Sequence, residues 1–159
     1  MGNALEKAIV LRNIGKYKES NELLLRLVSE FPNDPIINFQ CAWSFDVLGE
    51  ESKAVGFYEK AIELGLQDED LQGAILGLGS TYRTLGEYEK SKKVLQKGMD
   101  QFPDSRSIQV FFSMTLYNLG EHSSAMELLL KCLAETTSDR EIIKYKKAIN
   151  FYSNHLDKA

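Results

Sequence analysis

The chain has 159 residues, of which 43% are hydrophobic and 26% charged, a composition typical of one soluble globular domain. Its 19 basic and 23 acidic residues give a net charge of −4 without a basic cluster, which argues against nucleic acid as a partner. No apolar run approaches the roughly 20 residues that a transmembrane helix needs, so we expect no membrane segment.

Four glycines, each inside a similar stretch of sequence, divide the chain at regular intervals. Gly15, Gly49, Gly86 and Gly120 are separated by 34, 37 and 34 residues. In each stretch an apolar residue precedes the glycine, a charged residue follows it, and a small residue stands five positions on. A period near 34 predicts helix–turn–helix units that bury their apolar faces only against neighbouring units.

The apolar spacing is helical throughout the chain and nowhere alternates as in a strand. It predicts four pairs of helices at about 3–14 and 18–30, 35–48 and 51–64, 70–85 and 88–101, and 105–119 and 122–135. Pro35, preceded by Asn33 and Asp34, suits the first position of a helix that begins with a side-chain cap. The acidic run 68–70 suits the start of the fifth helix, whereas a metal site there is the weaker alternative.

The C-terminal segment predicts one further helix, from Ser138 to Leu156. Ser138 and Glu141 form a capping-box pattern at its start. Five apolar residues form a single stripe along it: Ile142, Tyr145, Ile149, Tyr152 and Leu156. We expect this helix to cap the last repeat with a polar outer face. Its lysines raise a membrane-surface helix as the alternative.

These features resemble the tetratricopeptide repeat (TPR). The third repeat matches the family pattern best, through Leu78, Gly79, Tyr82, Gly86, Tyr88, Gly98 and Pro103. The departures are Ser113 at a Gly or Ala position, Glu51 and His122 at the turn aromatic, and Thr137 at the closing proline. The stretches LGLGSTYRTLGEY and MTLYNLGEH are similar to a group of small bacterial TPR proteins with an extra C-terminal helix.

The resemblance implies an all-α fold, a right-handed α-α superhelix of four helix pairs plus a C-terminal capping helix. The repeats would occupy about 1–34, 35–68, 69–105 and 106–137, and the cap 138–159. It also implies a non-catalytic scaffold or adaptor for protein–protein interaction, without a cofactor. Fold alone is an associational argument for function.

Few residues in the chain suggest chemistry. Cys41 and Cys132 lie inside apolar helical patterns, and we interpret both as small buried hydrophobes. His122 and His155 lack partners at metal-ligand spacing. We therefore predict no catalytic, cofactor-binding or metal-binding residue.

The N-terminal sequence favours a cytoplasmic protein, unless a leader was removed. It has no basic segment followed by an apolar stretch and a cleavage site. Glu6 stands where an N-myristoylation signal needs Ser or Thr.

In the TPR architecture the first helices of the pairs line a concave groove. Counting from the turn glycines predicts a peptide-binding wall of Phe39, Trp43, Asp46, Leu76, Arg83, Val110, Met114 and Tyr117. The same count adds eight further positions: Leu5, Ile9, Arg12, Asn13, Val47, Ser80, Thr84 and Asn118. Aromatic and Arg anchors are typical of binding hot spots, so we expect a protein or peptide partner. The alternative is that Trp43 and Phe39 belong to the core.

One subset of the family clamps the C-terminal carboxylate of a peptide. The matching positions in this chain are Leu5, Ile9, Gln40, Gly73 and Gly77. None of these residues can clamp a carboxylate, so we do not expect that mode of binding. The alternative function is a self-associating structural module, a homodimer with the groove or the convex face buried.

Overall fold

The computed structural model describes residues 2–158, and all regular structure in that range is α-helical. The helices are α1 (Gly2–Asn13), α2 (Tyr17–Glu30), α3 (Pro35–Val47), α4 (Glu51–Glu63), α5 (Asp68–Thr84), α6 (Tyr88–Gln101), α7 (Arg106–Asn118), α8 (His122–Thr136), α9 (Arg140–Lys144) and α10 (Lys146–Tyr152). The first eight match the predicted helices to within one or two residues at each end.

The helices form two compact units, residues 1–87 and 88–159. In the first unit each helix packs on the next, and α3 also contacts α1 and α5. In the second unit α7 packs between α6 and α8, and α10 packs on α8. Consecutive helices that pack on one another are the helix pairs that the 34-residue period predicts.

Left-handed glycines end four of the helices. The φ angles of Gly15, Gly49, Gly86 and Gly120 lie between 73° and 85°, a region that other residues rarely adopt. At the first of these turns the Lys16 amide donates to the Leu11 carbonyl over 2.8 Å, and the Gly15 amide to Arg12 over 3.0 Å. This pair of bonds is a Schellman motif, and the other three turns repeat it. The positions of these glycines therefore determine where the first helix of each pair ends.

Small residues and side-chain caps bring the helices together. The Ser20 hydroxyl, which is fully buried, donates to the Ala8 carbonyl over 2.7 Å and so joins α2 to α1. At the start of α3, Asp34 accepts a hydrogen bond from the Ile37 amide over 2.9 Å, and Pro35 occupies the first turn. The predicted cap and proline position of α3 are both confirmed.

The C-terminal segment differs from the prediction in two ways. Its helix is interrupted at Tyr145, and the capping residue is Asp139, one position after Ser138. The predicted apolar stripe is not buried, since Tyr145, Tyr152 and Leu156 are 54%, 59% and 50% exposed. The outer face of this segment is therefore partly apolar, whereas we expected a polar face. The run from Ile142 to Tyr145 contains β-branched and aromatic residues, which have a lower helix propensity than Ala or Leu. These residues therefore contribute little to a continuous helix through Tyr145.

Candidate functional site

Trp43 lies on α3, in the first unit, with 42% of its surface exposed. Its ring stacks on that of Phe39, with the centroids 6.0 Å apart. Phe39 is 5% exposed and points at α5, where a β-carbon on Gly73 would lie 2.9 Å from its ring. Phe39 is thus a core residue that supports the exposed indole from beneath. The core alternative holds for Phe39 and not for Trp43.

Arg12, in the last turn of α1, also contacts this indole. Its guanidinium carbon lies 3.8 Å from the centroid of the Trp43 ring, a cation–π contact. Its Nη1 donates to the Gln40 side chain over 2.7 Å. Arg12 is only 6% exposed, and burial lowers the pKa of its guanidinium. Trp43 therefore contacts both the Phe39 ring and a buried cation.

Asp46, one turn after Trp43 on α3, is the centre of a hydrogen-bond network. Its carboxylate accepts a bond from the Tyr58 hydroxyl over 2.5 Å, and the Thr81 hydroxyl lies 2.8 and 3.0 Å from its two oxygens. Thr81 Oγ1 also lies 2.7 Å from the Gly77 carbonyl, and its single proton can serve only one of these acceptors. Burial raises the pKa of Asp46 more than these hydrogen bonds lower it. The network ties α3 to α4 and α5.

A small polar cavity of about 240 Å³ opens beside Asp46. It is lined by Asp46, Val47, Glu51, Ser80, Thr81 and Thr84. Four of these residues, Asp46, Val47, Ser80 and Thr84, are at positions that the glycine count predicts to face the groove. The cavity offers carboxylate and hydroxyl groups, and one of them, Asp46, lies one helical turn after Trp43 on α3.

The remaining predicted groove residues lie on α5 and α7. Leu76 and Arg83 are half-buried on α5 of the first unit. Val110 and Met114 are half-buried on α7 of the second unit, where Tyr117 is 63% exposed. The Tyr117 ring lies 4.8 Å from the ring of His122, the residue that replaces the turn aromatic.

Sequence reasoning missed Tyr58 and Thr81, which hold Asp46 in place. Tyr58 lies on α4, and a β-carbon on Gly77 would come within 2.5 Å of its ring. One signal was available: Tyr58 stands 34 residues after Leu24, so a hydroxyl appears at a core position that is aliphatic in the first repeat.

Metal clusters and membrane spans are both absent from the part of the chain that the structure describes. Among residues 2–158, no three His, Cys, Asp or Glu side chains are close enough together to hold a metal ion. None of the helices in the same range has the length and apolar character required to cross a membrane.

Comparison with known families gives one match across most of the chain. Residues 35–156 match the family model described as tetratrico peptide repeat. This chain belongs to the tetratricopeptide repeat family. Members of this TPR family are in general non-catalytic scaffolds for protein–protein interaction. Superkiller protein 3 of Saccharomyces cerevisiae is 27% identical to the chain over 104 residues, which are 61% of this chain and 7% of that protein. The chain therefore spans a small part of that relative's length.

Solved TPR structures share the fold. MamA from Desulfovibrio magneticus RS-1 superposes with a TM-score of 0.76 at 15% identity, over 98% of this chain and 87% of that one. A chain of the anaphase-promoting-complex heterotetramer Cut9–Hcn1 superposes with a TM-score of 0.76 at 17% identity, over 92% of this chain and 29% of that one. YrrB, described as a TPR protein with an unusual peptide-binding site, superposes with a TM-score of 0.66 at 14% identity, over 98% of this chain and 91% of that one. At these identities the likeness shows the fold alone, and it confirms the predicted TPR solenoid class.

Proposed function

We propose that this TPR protein binds a peptide segment of a partner protein at the Trp43 surface, which we define as Arg12, Trp43, Asp46, Ser80 and Thr84. The observation that carries the proposal is the exposed indole: Trp43 is 42% exposed although it contacts both the Phe39 ring and the Arg12 guanidinium. A large aromatic side chain that is accessible and already fixed suits a binding hot spot.

The fixed geometry of Trp43 favours binding because little side-chain freedom remains to be lost. Ordering a mobile side chain at an interface costs about 0.5–1.5 kcal/mol. Phe39 and Arg12 hold the indole before any partner arrives. The polar cavity at Asp46 adds hydrogen-bonding groups beside the apolar anchor. YrrB, which shares the fold and has a peptide-binding site, supports a peptide as the kind of ligand.

A peptide selection tests the proposal directly. The intact protein would select from a random displayed peptide library, and the affinities of enriched peptides would be measured for wild type, Trp43→Ala and Met126→Ala. Met126 is a matched control because it is 43% exposed and lies on α8 of the second unit. Loss of a hot-spot anchor costs about 2 kcal/mol or more, roughly thirtyfold in affinity. Equal affinities for wild type and Trp43→Ala would overturn the proposal.

The predicted residues of α7 form a separate candidate surface on the second unit. Tyr117, with Val110 and Met114 on the same helix, offers an exposed aromatic ring beside His122. The selection therefore includes Tyr117→Ala. We expect this substitution to weaken only those peptides that contact the second unit, and peptides lost on both Tyr117→Ala and Met126→Ala would point to unfolding of that unit instead.

Self-association is the second candidate function, and one observation favours it. Met126, Leu129 and Leu133 are spaced along one face of α8 and are 43%, 36% and 44% exposed. An exposed apolar stripe of this kind suits contact with a second copy of the chain. Light scattering separates the two states, since a dimer has twice the 18.0 kDa mass of the chain. A concentration-independent monomer would exclude this candidate.

We place the protein in the cytoplasm as part of the proposal. Cys41 and Cys132 are both free thiols, as is usual in a reducing compartment. Fractionation of the source cells with an antibody against the chain tests this placement.

A further inference from the structure

Arg12 carries a buried positive charge without a counter-ion. The residue is 6% exposed, and within residues 2–158 no carboxylate lies within ion-pair distance of its guanidinium. Buried arginines are usually paired, because removing an isolated charge from water is costly. The carboxylate of Asp46, on α3, accepts hydrogen bonds from the hydroxyls of Tyr58 and Thr81. The positive charge of Arg12 thus lacks the partner that its burial calls for.

The hydrogen-bonding capacity of Arg12 is also largely unused. A guanidinium has five N–H donors in one plane, and within the described chain the Arg12 side chain makes one hydrogen bond, from Nη1 to Gln40. Because all five donors lie in the plane of the guanidinium, an incoming acceptor must approach in that plane. A carboxylate fits this approach, since its two oxygens match two parallel N–H donors.

We propose that Arg12 binds the side-chain carboxylate of an Asp or Glu in the partner peptide. This inference rests on the proposed function and names the chemistry of the peptide at the same surface. The carboxylate supplies the missing counter-ion, and the adjacent indole of Trp43 packs on the apolar part of the same segment.

A structural role is the competing explanation for Arg12. A cation in the last turn of a helix interacts favourably with the helix dipole, and Arg12 holds that position in α1. Stacking on Trp43 and the bond to Gln40 add to this role. A purely structural Arg12 would stabilise the fold and would give no response to a soluble carboxylate.

In the experiment the intact protein is titrated with small probe molecules, and the responses of Trp43 and of Arg12 are both measured. N-acetyl-glutamic acid α-amide supplies the side-chain carboxylate, and N-acetyl-glutamine α-amide is its uncharged match. N-acetylglycine and inorganic phosphate supply a terminal carboxylate and a different anion. Trp43 is the only tryptophan in the chain, so its fluorescence reports on this site alone. The Arg12 Nε–H resonance in an NMR spectrum gives a second readout that needs no variant.

Three variants accompany the titration. Arg12→Gln removes the charge, and Arg12→Lys keeps the charge but lacks the planar fork. Arg26→Gln is the control, because Arg26 is an exposed arginine on α2. We expect saturable binding of the glutamate probe to wild type and to Arg26→Gln, with affinity at least about tenfold lower in Arg12→Gln, the loss expected for a charge-assisted hydrogen bond. Arg12→Lys should fall between the two.

Several results would overturn the inference. An equal response to the glutamine probe would show that charge is not recognised, and an unmoved Arg12 Nε–H resonance would show that Arg12 is not the site. Tighter binding of phosphate or of N-acetylglycine would refute a side-chain carboxylate as the natural ligand. Failure here is distinguishable from failure of the proposed function, since Trp43-dependent binding of selected peptides without an acidic residue would leave that function intact.

Discussion

Gly77→Ala is the perturbation that best tests the packing beneath the candidate site. Gly77 lies within α5, and a β-carbon there would come 2.5 Å from Cζ of Tyr58 and 2.6 Å from its hydroxyl oxygen. Such distances require one of the groups to move. Tyr58 is 2% exposed and its hydroxyl is bonded to Asp46 over 2.5 Å, so its ring has little room to retreat.

The expected magnitude follows from three opposing effects. Overpacking a tight contact costs about 1–3 kcal/mol. Weakening the hydrogen bond to the half-buried Asp46 carboxylate costs about 1–3 kcal/mol more. Alanine is favoured over glycine inside a helix by about 1 kcal/mol, which offsets part of this cost. We therefore expect the free energy of unfolding to fall by about 1–5 kcal/mol, with a central value near 3 kcal/mol.

Urea unfolding monitored by circular dichroism measures this change. Gly56→Ala is the matched control, because Gly56 lies within α4 and a β-carbon added to it would meet no atom within 4 Å. Its substitution should raise the free energy of unfolding by about 0.5–1 kcal/mol. If Gly77→Ala is as stable as wild type or more stable, the close approach of α5 to Tyr58 is wrong.

Three further predictions concern a carboxylate, the C-terminal helices and the cysteines. Because the pKa of Asp46 is raised in the folded state, its ionisation favours the unfolded chain, and the stability associated with its protonated form is lost as pH rises through the folded pKa. The free energy of unfolding of Asp46→Asn, relative to wild type, should therefore increase as the pH rises above about 4, the pKa of a free aspartate. Urea unfolding at several pH values that shows a constant difference would refute this. Truncation after Thr137 removes α10, which packs on α8. The truncated chain should have a lower melting temperature and a stronger tendency to associate, which thermal melting and light scattering measure. Unchanged values would show that α9 and α10 do not cap the last repeat. Cys41 is fully buried and Cys132 is 6% exposed, and burial raises the pKa of Cys41 to about 12. Both thiols should therefore react with a disulfide reagent only after denaturation. Rapid labelling of the native protein would contradict this.

The sequence was sufficient for the helices because their ends depend on local chemistry. Gly15 and its three counterparts adopt the left-handed conformation that ends a helix, and Asp34 with Pro35 starts the next one. These features involve only residues a few positions apart. The C-terminal helix was harder to predict, since no glycine or proline marks the break at Tyr145.

The candidate site was predicted only in outline. Helical spacing placed Trp43 and Asp46 on one face of α3, but spacing also assigned Phe39 to that face, and Phe39 is buried against α5. The contacts that decide exposure join different repeats, as Tyr58 and Thr81 do at Asp46. Those distances depend on how closely the helices approach, which a periodic pattern does not specify.

Fluorescence of Trp43 during titration with a peptide from the selection tests the central claim most directly. In the unbound protein the half-exposed indole should be quenched by iodide, and saturation with the peptide should shift its emission to the blue and protect it from iodide. A peptide that binds to saturation while Trp43 keeps its emission and its quenching would contradict the Trp43 surface as the binding site.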